Sequence, residues 1–406
     1  LILITIFKER CSMKKKFIII CALLALTVAV CSGAAYASET IGNAVDAVNE
    51  SNTGGFQEGC HSAYLSDYAT GAELYSHNAD SKHEIASMVK IMTANLVFEA
   101  IESGQLGVED EITVSERASS MGGSQMFLDA HEKYKAGDLI KGVIVASAND
   151  AAVALAETVS GSVEGFVNDM NEKAQALGMT NTKFANPTGL PSETEQYSTA
   201  KDVNIMTRDL MKHAGYYDYA NIWTEDFTHP SGRVTTLTNT NKLIRSYQGC
   251  KGGKTGYTDN AKFCVSACAE RNGIKTVATV IGAEDSKTRF AQACGLFNYG
   301  FANFKNQLVC KQGEKIDKSV AVERSRVKVM TPVAAVDASV LIKQGDDVKV
   351  EYELPEKIKA PISEGDKIGR IKITHEGKEY YFDLISDSDI PRATIWDILK
   401  DLAGKW

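Results

Sequence analysis

Between residues 85 and 103 the apolar side chains Met88, Ile91, Met92, Leu96, Val97 and Ile101 recur every three or four positions, the spacing of one helix face, and Gly104 follows as a stop. The same spacing predicts helices over 151–159 and 163–177, the second closed by Gly178. Asp138 is placed to cap a helix running through Val145, and Thr199, with Asp202 three residues on, to cap one running to His213. Strand-like runs at 61–68 and 72–76, joined by Ala69-Thr70-Gly71, predict a hairpin. After Pro230 the pattern turns to strands at 233–238, 248–255, 262–270 and 274–282, then to a helix over about 287–299. Helices from the middle and strands from both ends predict an α+β sandwich, a mostly antiparallel sheet packed on helices.

Near residue 305 the texture shifts. Val348, Val350, Tyr352 and Leu354 alternate with Lys349, Glu351 and Glu353, and Ile371 and Ile373 continue the period of two before the turn Glu376-Gly377. A small all-β domain is predicted over 306–388. In the last stretch Ile395, Trp396, Ile398, Leu399, Leu402 and Trp406 share a broad helical face, with Asp397, Lys400, Asp401 and Lys405 elsewhere. This amphipathic C-terminal helix, over 389–406, is suited either to a membrane interface or to docking on its own domain.

The N-terminal pattern is of another kind. Lys14 to Lys16 form a basic start, residues 17–30 an apolar stretch shorter than the ~20 residues of a membrane span, and Ala35-Tyr36-Ala37 a small-x-small cleavage site. Residues 1–37 therefore read as a signal peptide, with Met13 as its start and 1–12 as an upstream extension; the polar stretch 38–57 reads as a mobile lead-in, and 58–305 as the main domain.

The 406 residues, 44% apolar and 24% charged, suffice for two folded domains. Without the leader the net charge moves from -8 to about -12, which makes the chain a poor partner for nucleic acid. Six cysteines remain, Cys60, Cys250, Cys264, Cys268, Cys294 and Cys310, and in an exported chain they permit disulfides or buried thiols. Cys264 and Cys268 lack a second ligand pair at zinc spacing, so no metal or other cofactor is expected.

Three short motifs carry chemistry. Lys254-Thr255-Gly256 is the only Lys-Thr-Gly in the chain. Ser87-Met-Val-Lys90 and Ser147-Ala-Asn149 precede it. Ser-x-x-Lys also begins at Ser12, Ser198 and Ser325, and Ser-x-Asn at Ser76, so context decides: Ser87 opens an apolar helix, Ser147 falls between helices, and Lys254 lies on a strand that ends in a turn. Ser-x-x-Lys on a helix puts an amine one turn from a hydroxyl, where it can take the proton if its pKa is depressed by burial or a second cation such as Lys254. Ser147 could relay a proton to a leaving amine, and Asn149 could orient a substrate backbone. Lys254 and Thr255 could receive a carboxylate, while Gly256 allows close backbone approach. Backbone N–H groups of Ser87 and Tyr257 are the natural oxyanion donors. No Gly-x-Ser-x-Gly or His-Glu-x-x-His pattern competes.

Together the three motifs match the set known from β-lactamases and penicillin-binding proteins. From about residue 58 onward the chain resembles the low-molecular-weight penicillin-binding proteins that are serine-type D-Ala-D-Ala carboxypeptidases. The further segments that carry this resemblance are Met121-Gly-Gly-Ser-Gln-Met-Phe127, Ser147-Ala-Asn-Asp-Ala-Ala-Val153, Phe184-Ala-Asn-Pro-Thr-Gly-Leu-Pro191, Tyr197-Ser-Thr-Ala200, Thr238-Asn-Thr-Asn-Lys242, Gly253-Lys-Thr-Gly-Tyr-Thr258 and Asn298-Tyr-Gly-Phe301. It implies acylation of Ser87 by the penultimate D-Ala of a peptidoglycan stem pentapeptide, release of the terminal D-Ala, hydrolysis by water, and acylation by β-lactam antibiotics. It matches Arg289 to an arginine that helps bind the terminal carboxylate, and residues 306–406 to a small β-rich second domain and an amphipathic helix on the outer face of the cytoplasmic membrane. Gln196 stands where a histidine often precedes Tyr-Ser-Thr-Ala, and Lys251 where an acidic or small residue is common, departures that bear on substrate preference. Endopeptidase, β-lactamase and non-catalytic wall-binding readings stand as alternatives, the β-lactamase weakened by the lack of a Glu-x-x-Leu-Asn segment.

Overall fold

The strand Ile274–Ala283 is buried along nearly its whole length, which requires neighbours on both edges and cover on both faces. The computed structural model, which describes residues 59–397, supplies them. Five strands, β1 (Ser62–Asp67), β2 (Glu73–His77), β3 (Cys250–Thr258), β4 (Lys262–Arg271) and β5 (Ile274–Ala283), form one sheet in the order β2-β1-β5-β4-β3. Every neighbouring pair is antiparallel. The predicted hairpin is present, with Ala63 opposite His77. β3 lies at the sheet edge.

Alternation assigns the two faces. Ser66 on β1 donates to Asn204 at 2.5 Å, and Thr207 shares a 2.7 Å hydrogen bond with Ser266 on β4, so this face meets the helix α4 (Ala200–Leu210). Leu65 points the other way, toward Gly300 of the helix α5 (Ser286–Asn303). The fold is the expected α+β sandwich. Between β2 and α4 the chain forms α1 (Lys90–Glu102), α2 (Asn149–Ser160) and α3 (Val163–Ala176), whose apolar faces join Tyr64, Val277 and Ile281 of the sheet in one core.

Several local expectations change. The helix read as starting at residue 85 is a 3₁₀ turn, Ala86–Val89, followed by α1. Asp138 does not cap: Ala136–Lys141 is preceded by Lys135, and the helix widens into a π turn, Gly142–Ala146. Thr199 is a true cap, accepting from Asp202 N at 3.1 Å, although α4 stops at Leu210. The strand Val234–Thr238 does not join the main sheet; it pairs with Thr224–Thr228, which has too little apolar periodicity to be seen in the sequence.

Beyond α5 the strands include Phe304–Cys310 paired with Ala338–Lys343, and Lys367–His375 between Lys349–Glu353 and Lys378–Ile385. Ile371, Ile373 and Leu384 are fully buried in a core of their own. Glu376 and Gly377 both have positive φ, 48° and 76°, the requirement of a tight hairpin turn. None of the six cysteines forms a disulfide. The leader and lead-in lie outside the described residues, as does the C-terminal helix past Asp397; Ile395 and Trp396 are exposed, at 77% and 75%.

Candidate active site

Ser87 owes its setting to the 3₁₀ turn. Ala86 is held at a φ of 48°, left-handed for a residue with a Cβ, and a 3₁₀ turn eclipses residues three apart. Lys90 Nζ therefore lies 3.1 Å from Ser87 Oγ. Nζ also donates to Asn149 Oδ1 at 2.6 Å and to the Thr188 carbonyl at 2.7 Å. A neutral amine has two N–H bonds and one lone pair; the two acceptors, neither able to donate, take the N–H bonds and leave the lone pair facing the Ser87 hydroxyl. Lys90 is 1% exposed, and burial, with the Lys254 charge as the second cause, holds its amine well below the usual lysine range, while Asp150 opposes the shift.

Ser147 closes the π turn in the left-handed region, at φ 62° and ψ 31°, and Asn149 opens α2 two residues later. This reversal brings Ser147 Oγ 2.8 Å from Lys254 Nζ, which also donates to the Thr255 carbonyl at 3.0 Å. Lys254, 5% exposed, is brought down to about 7 by burial and, secondly, by the Arg289 charge. Among the described residues neither Lys90 nor Lys254 forms an ion pair, so desolvation is the largest influence on both. The amide of Asn149 is committed inside the protein: its Nδ2 donates to the Gly122 carbonyl at 2.7 Å while Oδ1 serves Lys90.

Thr255 donates to Thr240 Oγ1 at 2.8 Å, and Thr240 N donates to the Val145 carbonyl at 3.2 Å, tying the strand to the π turn. Gly256 lies against the nucleophile turn so closely that a Cβ would sit 2.6 Å from the Ile85 carbonyl oxygen. Tyr257 packs its ring 4.4 Å from that of Phe263 and its hydroxyl donates to Asp259 at 3.0 Å. Arg289 is no helix-start partner for Asp285, which caps α5 through Thr288 N at 2.7 Å. It donates to the Gly256 carbonyl at 3.1 Å and the Cys264 carbonyl at 3.3 Å, so its charge sits behind β3.

The structure thus gathers Ser87, Lys90, Ser147, Asn149, Lys254, Thr255 and Gly256 in one cluster. Sequence profiles of two families match the chain: one described as D-alanyl-D-alanine carboxypeptidase over residues 49–285, and one described as penicillin-binding protein 5, C-terminal domain, over 304–392. The chain belongs to the D-alanyl-D-alanine carboxypeptidase family. It is 36% identical to the D-alanyl-D-alanine carboxypeptidase DacF of Bacillus subtilis (strain 168), over 85% of this chain and 89% of that one. It is 33% identical to DacC of Escherichia coli (strain K12), over 77% and 80%. Penicillin-binding protein 5 of Haemophilus influenzae superposes with a TM-score of 0.67 at 31% identity, over 82% of this chain and 98% of that one. As a family member the chain is a serine-type peptidase, a hydrolase.

Three residues of this carboxypeptidase-family site lie in segments that carry the resemblance but were given no role by sequence reasoning. Thr188 contributes only a carbonyl, which any residue type carries, and Thr240 is an ordinary threonine until the fold sets it beside Thr255. Asp150, wholly buried, accepts from Met126 N and Leu128 N, both at 3.1 Å, and so anchors the segment that covers Asn149. Its signal was a carboxylate inside a helical apolar run.

Proposed function

We propose that this chain removes the terminal D-alanine from peptidoglycan stem pentapeptides through an acyl-enzyme on Ser87, outside the cytoplasmic membrane. Neutral Lys90 takes the Ser87 proton as Oγ attacks the penultimate D-Ala carbonyl, and the oxyanion is met by the N–H groups of Ser87 and Tyr257. Ser147, held by Lys254, relays that proton from the Lys90 ammonium to the departing D-Ala nitrogen as the peptide C–N bond breaks, which leaves Ser147 a hydroxyl and Lys90 neutral again. Water then attacks the ester, giving a proton to Lys90, and Lys90 returns it to Ser87 Oγ as the ester bond breaks. A penicillin follows the same first step, opening its ring amide onto Ser87.

The observation that carries this reading is the pairing of two buried, ion-pair-free lysines with two serines, Lys90 with Ser87 and Lys254 with Ser147. Lys254, Thr255 and the charge of Arg289 behind them form a positive strand edge suited to a free carboxylate, which favours trimming a peptide end. Asn149 acts in this scheme by orienting Lys90 rather than the substrate. The division into a catalytic part (58–305), a β-rich part (306–388) and a terminal helix (389–406) belongs to the same proposal and is supported by the separate core around Ile371. A contact of that helix with the outer face of the cytoplasmic membrane is supported by exposed Ile395 and Trp396; no described helix is long and apolar enough to cross a membrane.

The test is free D-alanine released from a synthetic pentapeptide, abolished in Ser87→Ala. Equal release by parent and variant would sink the enzyme reading. Faster cleavage of a crosslinked dimer than of the pentapeptide would favour an endopeptidase, and rapid turnover of a labelled penicillin a β-lactamase.

A further inference from the structure

The turn that carries Ser87 is gripped from two sides, each by a glycine. Gly256 of β3 presses on one; on the other, a Cβ at Gly189 would meet the Ala86 carbonyl oxygen at 2.0 Å and Ser87 N at 2.9 Å. Gly189 and its neighbour Thr188 belong to a stretch with no helix or strand around it. Its shape must come from side chains. Asn186 supplies them: its Oδ1 accepts from Thr188 N at 3.1 Å, Thr188 Oγ1 at 2.9 Å and Gly189 N at 2.7 Å, and its Nδ2 donates to the Leu190 carbonyl at 2.9 Å. Gln196 Oε1 supports the loop from behind, accepting from Ala185 N at 3.0 Å and Asn186 N at 3.2 Å. Thr93, one turn beyond Lys90 on α1, donates to the Pro187 carbonyl at 2.7 Å.

We propose that Asn186 is a positioning residue for Lys90, fixing through the Thr188 peptide the carbonyl that directs the lysine's lone pair at Ser87. This rests on Lys90 being the base in the proposed function. The Lys90 amine has two carbonyl-type acceptors; Asn149 sits on a helix, whereas Thr188 sits on a loop in which Asn186 accepts from Thr188 N, Thr188 Oγ1 and Gly189 N. Turning the Thr188 carbonyl away frees one N–H bond, lets the amine rotate and misdirects the lone pair. A misplacement of about 1 Å at a reacting group costs roughly a hundredfold in rate. The carbonyl also favours the ammonium form, so its loss lowers the Lys90 pKa further.

The experiment is the rate of acylation by a labelled penicillin against pH, on the full chain. Asn186→Ala should lower the plateau about 10–100-fold and move the acidic limb to lower pH. Asn186→Asp keeps an acceptor for the same three donors while adding a negative charge near Lys90. It should recover most of the plateau and move the limb to higher pH. Should Asn186→Ala fail to fold, Gln196→Ala carries the test, with the same direction and a smaller shift. An unmoved limb in the folded alanine variants, whatever their plateau, overturns the inference. Ser87→Ala separates the two levels: if it still forms the adduct, the proposed function falls; if it is inert and Asn186→Ala matches the parent, only the role of Asn186 falls.

Discussion

Lys254 Nζ donates to Ser147 Oγ at 2.8 Å, so the second serine of the site has a buried lysine of its own. The pair is placed for proton delivery to a leaving group, a task worth about 10²–10⁴-fold in comparable settings. Ser147→Ala should lower D-alanine release from a pentapeptide by at least about a hundredfold at saturating substrate. An unchanged maximal rate would remove Ser147 from the chemistry.

Lys254 also predicts a stability trade-off. Its pKa is about 7 in the folded protein against an ordinary 10.5, so between these values the unfolded chain binds more protons and folding stability rises with pH. Below pH 7 the full cost of burying the ammonium is present. Lys254→Met should therefore be inactive yet more stable than the parent at pH 6, by an amount on the order of a few kcal/mol, with the gap closing toward pH 10. Urea midpoints across that range check it; a gap that widens with pH contradicts the assignment.

Asn149 Oδ1 lies 2.6 Å from Lys90 Nζ, and a carboxylate there would favour the ammonium. Asn149→Asp should raise the Lys90 pKa, move the acidic limb of penicillin acylation to higher pH, and lower the rate near neutrality about tenfold or more. Recovery at alkaline pH separates this from simple damage to the site.

Gly256→Ala places a Cβ 2.6 Å from the Ile85 carbonyl oxygen, whereas a Cβ at Gly122 meets nothing within 4 Å. The first variant should displace the nucleophile turn and lose about 1–3 kcal/mol or more of stability together with most acylation. Gly122→Ala should stay near the parent in both. Equal behaviour of the two would mean that the turn yields freely to β3.

Much of this site was legible because its parts are short and local. Ser87 and Lys90 meet through one turn of chain, and their separation of three residues already implies it. Asp138 misled, because a side chain with capping chemistry does not cap when Lys135 precedes the helix in extended conformation. The hairpin partner Thr224–Thr228 was invisible, since four of its five residues are polar and its pairing is settled by Val234–Thr238. Arg289 was matched to carboxylate binding by resemblance, and only the fold shows that it also donates to the Gly256 and Cys264 carbonyls, tying it to β3 and β4.

By itself the sequence determined the α+β order of elements, the three motifs and the family, because helix periodicity, strand alternation and Ser-x-x-Lys spacing are properties of neighbours along the chain. Only the tertiary structure decided which lysine serves which serine, that Asn149 is committed to Lys90, and that Gly189 and Gly256 enclose the Ser87 turn. Those relationships join residues far apart in the chain, Lys254 and Ser147 across 107 positions and Gly256 and Ile85 across more. Their energies depend on burial and direction, which arise when the chain packs and cannot be read from the order of its residues.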